Sequence, residues 1–216
     1  MLILGIETST PQTTVALGGD RGLVASGLLQ SSRANHEVVI PTATELLRWA
    51  GLDLSSVTGI AVGLGPGLFT GMRVGIVTAK TLAQVLGVPV VGIASLDLVA
   101  FAYRYAQRLI CATVDAKRRE MFYAFYRPVP GGVTRETPIE VASASTLAAE
   151  LEARKEDVLV AGNGALVYRR PLEDAGSHVE IASAANAFPA AGALVELAVP
   201  RFQREEFDRV YDLQPV

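Results

Sequence analysis

Three short stretches carry residue types and spacings that could do chemistry. The apolar run from Gly59 to Val62 reads as a buried strand, and a glycine loop, Gly63-Leu64-Gly65-Pro66-Gly67-Leu68-Phe69, follows it. The loop leads into a long apolar helix expected to open at Thr70, a candidate N-cap. Glycines let the backbone turn tightly and come close to whatever lies opposite. A strand, such a loop and a helix N-terminus together can cradle an anion. The spacing is neither the phosphate-loop pattern ending in Gly-Lys-Ser/Thr nor G-x-G-x-x-G, so an anion cradle and a tight helix-on-sheet turn both stay open. Near the N-terminus, Glu7-Thr8-Ser9 breaks an apolar strand and offers a carboxylate and two hydroxyls, a usable set for a nucleotide and its metal. Gly162-Asn163-Gly164 follows another apolar run and could line an adenosine face or simply turn a strand into a helix.

Other chemistries find little material. The two histidines, His36 and His178, lack metal-ligand spacing, and His36 beside Glu37 reads as a capping or surface residue. The single cysteine, Cys111, lies in an apolar run and reads as a buried, inert thiol. No Ser-His-Asp set can be assembled from spacing.

The elements that must position these residues follow from hydrophobic patterning. Leu2–Ile6, Thr13–Leu17 and Leu23–Leu29 read as three antiparallel strands, the last two joined by the turn Gly18–Gly22. A helix from about His36 to Ala50 follows, with Pro41 expected in its first turn. Then come the Gly59–Val62 strand, the Thr70–Leu86 helix, a Pro89–Ile93 strand and a Leu96–Ala106 helix. A second round begins at Leu109. Its strands are Leu109–Val114, Met121–Tyr126 and a broken Val133–Val141. A helix capped by Ser143, an Asp157–Ala161 strand and a helix to about Asp174 follow, and Val179–Ala182 and Ala187–Leu197 complete it. In the second of these strands Met121, Tyr123 and Phe125 face one way, and Phe122, Ala124 and Tyr126 the other. Element order thus repeats without residue identity. Two βββαβα lobes, residues 1–106 and 107–216, predict an α/β protein of duplicated ribonuclease-H-like (actin/Hsp70-like) fold with a cleft between the lobes. A phosphotransferase of this architecture needs a second phosphate loop. At that place stands Asp115-Ala116-Lys117-Arg118-Arg119, three cations and no glycine, so the nucleotide cradle reads as half dismantled.

Half the 216 residues are hydrophobic, ample for a core, yet no apolar run approaches the roughly 18 residues of a membrane span. The N-terminus lacks the basic flank of a signal peptide, and a cytoplasmic location without membrane contact is expected. A net charge of −3 argues against strong independent nucleic-acid binding. Lys117-Arg118-Arg119, Arg169-Arg170 and Arg201/Arg204 read as solvated surface that could assist within a larger assembly.

From Thr70 to Leu86 the only charges are Arg73 and Lys80. A helix so apolar is covered on more than one side. Gly71, Gly75, Ala79 and Ala83 form a smooth stripe along which another helix could approach closely. Glycine inside a helix costs roughly 1 kcal/mol against alanine, so Gly75 needs a packing reason. The covering element is either intramolecular or a partner helix.

Gly5-Ile6-Glu7-Thr8-Ser9-Thr10, then Gly65-Pro66-Gly67-Leu68-Phe69-Thr70-Gly71-Met72-Arg73-Val74-Gly75, then Val114-Asp115-Ala116-Lys117-Arg118 together resemble the TsaB family of tRNA threonylcarbamoyladenosine biosynthesis proteins. The glycine segment is the specific part. The resemblance covers most of residues 1–126; beyond it a family-like Pro-x-Tyr-Leu-Arg ending is blurred into Val210-Tyr211-Asp212-Leu213-Gln214. TsaB proteins are paralogues of the catalytic subunit TsaD, which holds its metal partly through an H-x-x-x-H pair just after a strand. Matching Pro89–Ile93 to that strand puts Ser95 and Val99 at the histidine positions, which implies that this chain is not the catalyst. The resemblance further implies that it has no cofactor of its own, ATP and metal residing on the partner subunits. Those partners would be a TsaD-like catalytic subunit, a TsaE-like ATPase reached through the complex, a second copy when the chain is alone, and tRNA only within the complex. The expected partner face is the helix pair 36–50 and 70–86, with His36, Val39, Leu46, Met72, Gly75, Ile76 and Ala79 as contacts. Glu7, Thr8, Ser9, Gly162 and Gly164 would be remnants of a nucleotide site. An ATP-binding enzyme acting on its own is the alternative, and would bind nucleotide in isolation and lose it on Glu7→Ala. A metallopeptidase lacks ligands here.

Overall fold

The computed structural model describes residues 1–30 and 35–216, with the side chains of Asn35 and His36 left aside. The chain forms two compact units, residues 1–95 with 190–216, and residues 96–189.

In the first unit, β1 (Ile3–Glu7), β2 (Gln12–Gly19), β3 (Gly22–Gln30), β4 (Gly59–Gly63) and β5 (Val90–Ile93) form one sheet in the order β3-β2-β1-β4-β5. The three leading strands are antiparallel, while β1, β4 and β5 run parallel. Strands β1 and β4 are buried at every residue, because a central strand covered on both faces has no polar side to show. Helices α1 (Asn35–Trp49) and α2 (Phe69–Leu86) cover one face, packing Val39, Leu46, Leu47, Ile76 and Ala79 onto Leu4, Ile6 and Ile60. Helix α7 (Ala191–Gln203) covers the other, with Ala191 and Val195 against Gly5.

In the second unit, β6 (Leu109–Lys117), β7 (Glu120–Val129), β8 (Gly132–Arg135), β10 (Val158–Gly162) and β11 (Val179–Ile181) repeat that order as β11-β10-β6-β7-β8. The broken strand expected over 133–141 is two strands, since β9 (Glu140–Ser143) also pairs with β7. Helices α4 (Ala144–Ala153), α5 (Asn163–Val167) and α6 (Arg169–Glu173) follow β9 and β10. The alternation read along β7 holds. Met121, Tyr123 and Phe125 enter one core with Leu147 and Leu151, and Ala124 and Tyr126 enter another with Leu96 and Val99. Those last two belong to α3 (Ser95–Phe101).

Several expected details differ. The compact units do not divide at 106/107, because α3 buries its apolar face in the second unit and α7 returns to the first. Ser143 caps α4 as expected, accepting from the Thr146 N–H. Thr70 does not cap α2; the N-cap is Leu68, whose side chain bonds nothing, and Thr70 is an exposed helical residue. Pro41 lies in the second turn of α1, at an exposed position. Among the described residues no helix is long and apolar enough to cross a membrane.

Candidate functional site

The glycine loop is closed onto the turn between β1 and β2. Glu7, Thr8 and Ser9 are wholly buried. The Leu68 N–H donates to the Ser9 carbonyl at 2.6 Å, and Gly67 lies so close beneath Ser9 that a Cβ there would overlap its carbonyl oxygen. Gly63 likewise gives its side-chain space to the Glu7 carboxylate. That carboxylate accepts from the Ser9 N–H at 2.6 Å and from Ser95 Oγ at 2.7 Å. Ser95 Oγ accepts in turn from the Gly65 N–H at 3.1 Å, and the Ser95 N–H donates to the Gly65 carbonyl at 2.6 Å. Burial pushes the Glu7 carboxyl above its ordinary value, and hydrogen bonds from Ser9 and Ser95 pull it partly back.

The loop's own groups satisfy one another. The amides of Gly65 and Leu68 are spent inside the loop, and the Glu7 carboxylate is bound to Ser9 and Ser95. Of the two readings of the loop, the tight packing turn is the one the geometry satisfies. Ser95, placed by the family resemblance where a metal-binding histidine stands in the catalytic paralogue, serves as the clasp between Glu7 and Gly65. Val99 lies in the apolar core. Among the described residues no group of three His, Cys, Asp or Glu side chains converges as a metal site would.

Gly162 and Gly164 belong to a second closed packing, in the other unit. Gly162 has φ +112° and sits against the Thr113 carbonyl, and Gly164 leaves just room for the Thr113 side chain. Thr113 Oγ1 donates to the Ala161 carbonyl at 2.8 Å and accepts from the Ala165 N–H at 2.9 Å. Helix α5 therefore starts at Asn163 without an intervening turn. Both glycines fit β6 against α5, and both are buried.

The smooth stripe of α2 also finds its partner inside the chain. Gly71, Gly75, Ala79 and Ala83 are all buried, and Thr8 Oγ1 donates to the Gly71 carbonyl at 2.7 Å. The contact set expected for a partner is corrected accordingly. Val39, Leu46, Met72, Gly75, Ile76 and Ala79 are buried within the first unit, so no partner can reach them without unpacking its core. The His36 side chain lies outside the described residues.

The accessible face of α2 is the opposite ridge. Phe69, Arg73, Val77, Thr81 and Val85 recur every four residues, and all five are exposed. Two such ridges set two residues apart point about 200° from one another on a helix of 3.6 residues per turn. Val77 is 61% and Val85 75% exposed, values that mark a face left open by the described residues. The Arg73 guanidinium stacks over the Phe69 ring at 3.9 Å. On α1, Ile40 and Trp49 are exposed as well. Between the two helices a cavity of about 300 Å³ is lined by Ile40, Ala43, Leu47 and Leu82, with Leu52 and Leu54 at its side.

The family model of TsaD, tRNA N6-adenosine threonylcarbamoyltransferase, matches residues 29–211. The chain belongs to this family. The TsaB protein of Bacillus subtilis, named for tRNA threonylcarbamoyladenosine biosynthesis, is 28% identical over 81% of this chain and 76% of its own length. An uncharacterized protein of Mycobacterium tuberculosis is 34% identical over 57% of this chain, and the chain spans 58% of that relative's length. Among solved structures, YeaZ from Pseudomonas aeruginosa superposes with a TM-score of 0.85 at 28% identity, covering 100% of this chain and 98% of its own. The resemblance to TsaB read from the glycine segment is thereby borne out. The duplicated actin/Hsp70-like architecture is shown too. An activator of 2-hydroxyisocaproyl-CoA dehydratase from Clostridium difficile shares the fold at a TM-score of 0.51 and 9% identity, over 97% of this chain and 99% of its own.

Proposed function

We propose that this chain is a non-catalytic scaffold subunit for tRNA threonylcarbamoyladenosine formation. In this reading it binds a TsaD-like catalytic subunit through the outward ridge of α2 and the neighbouring face of α1. The observation that carries the reading is the pairing of a closed glycine loop with an open apolar helix face. A loop that engages its Gly65 and Leu68 amides and the Glu7 carboxylate internally is built as a packing turn and keeps fewer donors for phosphates. A helix that exposes Phe69, Val77 and Val85 side by side has apolar surface that association would remove from water.

ATP, metal and the TsaE-like ATPase are assigned to the partner side, with tRNA held tightly only once the complex forms. A second copy of the chain would use the same helix face when no catalytic subunit is present. The assembly would work in the cytoplasm. The alternative, an ATP-binding enzyme acting alone, has the shared fold in its favour: the activator with that fold is described with bound ADPNP. Its test is nucleotide binding by the isolated chain, with loss on Glu7→Ala.

The deciding experiment is reconstituted tRNA modification with TsaD, TsaE, ATP and threonylcarbamoyl-adenylate, with and without this chain. Product that requires the chain, together with co-elution with TsaD, supports the scaffold reading. Product formed equally well without it overturns the reading.

A further inference from the structure

We propose that the second unit carries a surface for the phosphate backbone of RNA, formed by Lys117, Arg118 and Arg119 at the β6–β7 hairpin and Arg170 beside it. The backbone at the hairpin is the first ground. Lys117, Arg118 and Arg119 have φ of 66°, 53° and 69°, three successive side-chain-bearing residues in the left-handed region. Lys117 pairs with Glu120, so Arg118 and Arg119 are the two central residues of the turn. Asparagine and glycine suit such a turn without strain, whereas a Cβ with a long side chain is disfavoured there. The hairpin would close better without its arginines, and what they add is charge and reach.

The second ground is how firmly that strained turn is held. Asp115, 6% exposed, accepts from the Lys117 N–H at 2.9 Å and pairs with Lys117 Nζ at 2.7 Å. The Tyr168 hydroxyl donates to Asp115 Oδ1 at 3.4 Å. Tyr168 thus ties the hairpin to the start of α6, where Arg169 and Arg170 follow directly. Arg169 is engaged with Glu173 at 2.7 Å. Among the described residues, Arg118, Arg119 and Arg170 have no ion pair, and all three are exposed.

Three exposed guanidiniums without an ion pair among the described residues suit an extended polyanion. Guanidinium matches phosphate oxygens with two parallel N–H donors. The choice of RNA among polyanions rests on the proposed role in tRNA modification. With so few cations in a chain of net charge −3, binding by the isolated protein should be weak and strongly salt-dependent.

The test measures binding of a tRNA transcript to the full chain by fluorescence anisotropy at several salt concentrations between about 50 and 200 mM. For Arg118→Gly/Arg119→Gly the expected result is about tenfold weaker binding and a log–log salt slope smaller by about 2. Its Tm should equal or exceed that of the natural chain, since glycine relieves the turn. Unchanged affinity and slope would overturn the proposal. Should the double variant lose stability, Arg170→Ala decides, because it leaves the turn intact: full affinity in that variant overturns the proposal and weakened affinity supports it. Absence of tRNA binding by the natural chain, or equally tight binding of inorganic polyphosphate, also overturns it. Co-elution with a TsaD-like subunit, run on the same variants, should be untouched, so failure of the scaffold reading and failure of this surface give different results.

Discussion

Gly75 and Thr8 occupy a single packing position: a Cβ on Gly75 would overlap Thr8 Oγ1, the same atom that donates to the Gly71 carbonyl one turn earlier. A glycine in mid-helix gives up about 1 kcal/mol of helix propensity, and here it lets α2 lie against the turn after β1. This contact lies within the chain, so substitutions at Gly75 report on folding before they report on association. Gly75→Ala is expected to lower stability by about 1–3 kcal/mol through overpacking. In the Thr8→Ala background the same substitution should cost much less, and urea unfolding of the double-mutant cycle measures the coupling. Additive costs would mean that the two residues do not compete for space.

The outward ridge predicts the opposite pattern. Val77→Glu places a charge on a side chain that is 61% exposed and should change unfolding free energy by no more than about 0.5 kcal/mol. It should nonetheless abolish co-elution with a TsaD-like subunit. Retained co-elution would remove this ridge from the interface.

Glu7 predicts a pH dependence. Its carboxyl, near 4.5 when unfolded, is raised in the folded chain by burial. The folded state therefore holds the proton more tightly, and this group's contribution is full below pH 4.5 and lost as pH rises through the folded value. Glu7→Gln cannot ionise and lacks that loss. The stability of the natural chain minus that of Glu7→Gln should fall as pH increases from 4.5, measured by urea unfolding at a series of pH values. Parallel curves would show that Glu7 does not titrate differently on folding.

Thr113 predicts a hydrogen-bond cost in the second unit. Thr113→Val keeps the shape but leaves the buried Ala165 N–H without the acceptor it has at 2.9 Å. The expected loss is about 1–3 kcal/mol, and Thr113→Ser should recover most of it. A valine variant as stable as the natural chain would mean that another acceptor serves Ala165.

What the sequence determined by itself is the pattern. Strand and helix order, the repeat of that order, the two faces of β7 and the Ser143 cap all follow from local periodicity and short-range spacing, and the family resemblance rests on the residues of the glycine segment. Side chains two apart on a strand must share a face, and a cap bonds within its own first turn. The need for close packing at Gly75 was legible too, because a costly residue in a helix requires a compensating contact. What met it was not legible. Gly71, Gly75, Ala79 and Ala83 look equally smooth to a partner helix and to Thr8, 67 positions back in the chain from Gly75. Only the tertiary structure, by turning that ridge onto β1, leaves Phe69, Val77 and Val85 outward. The same holds for the glycine loop. Its spacing permits an anion, but Ser95 and Glu7, 88 residues apart, decide that it is closed. The sheet also decides where α3 and α7 belong, since each buries its apolar face beside strands remote in sequence. Local residue patterns fix which faces are apolar; which face meets the core and which meets water depends on contacts that chain separation hides.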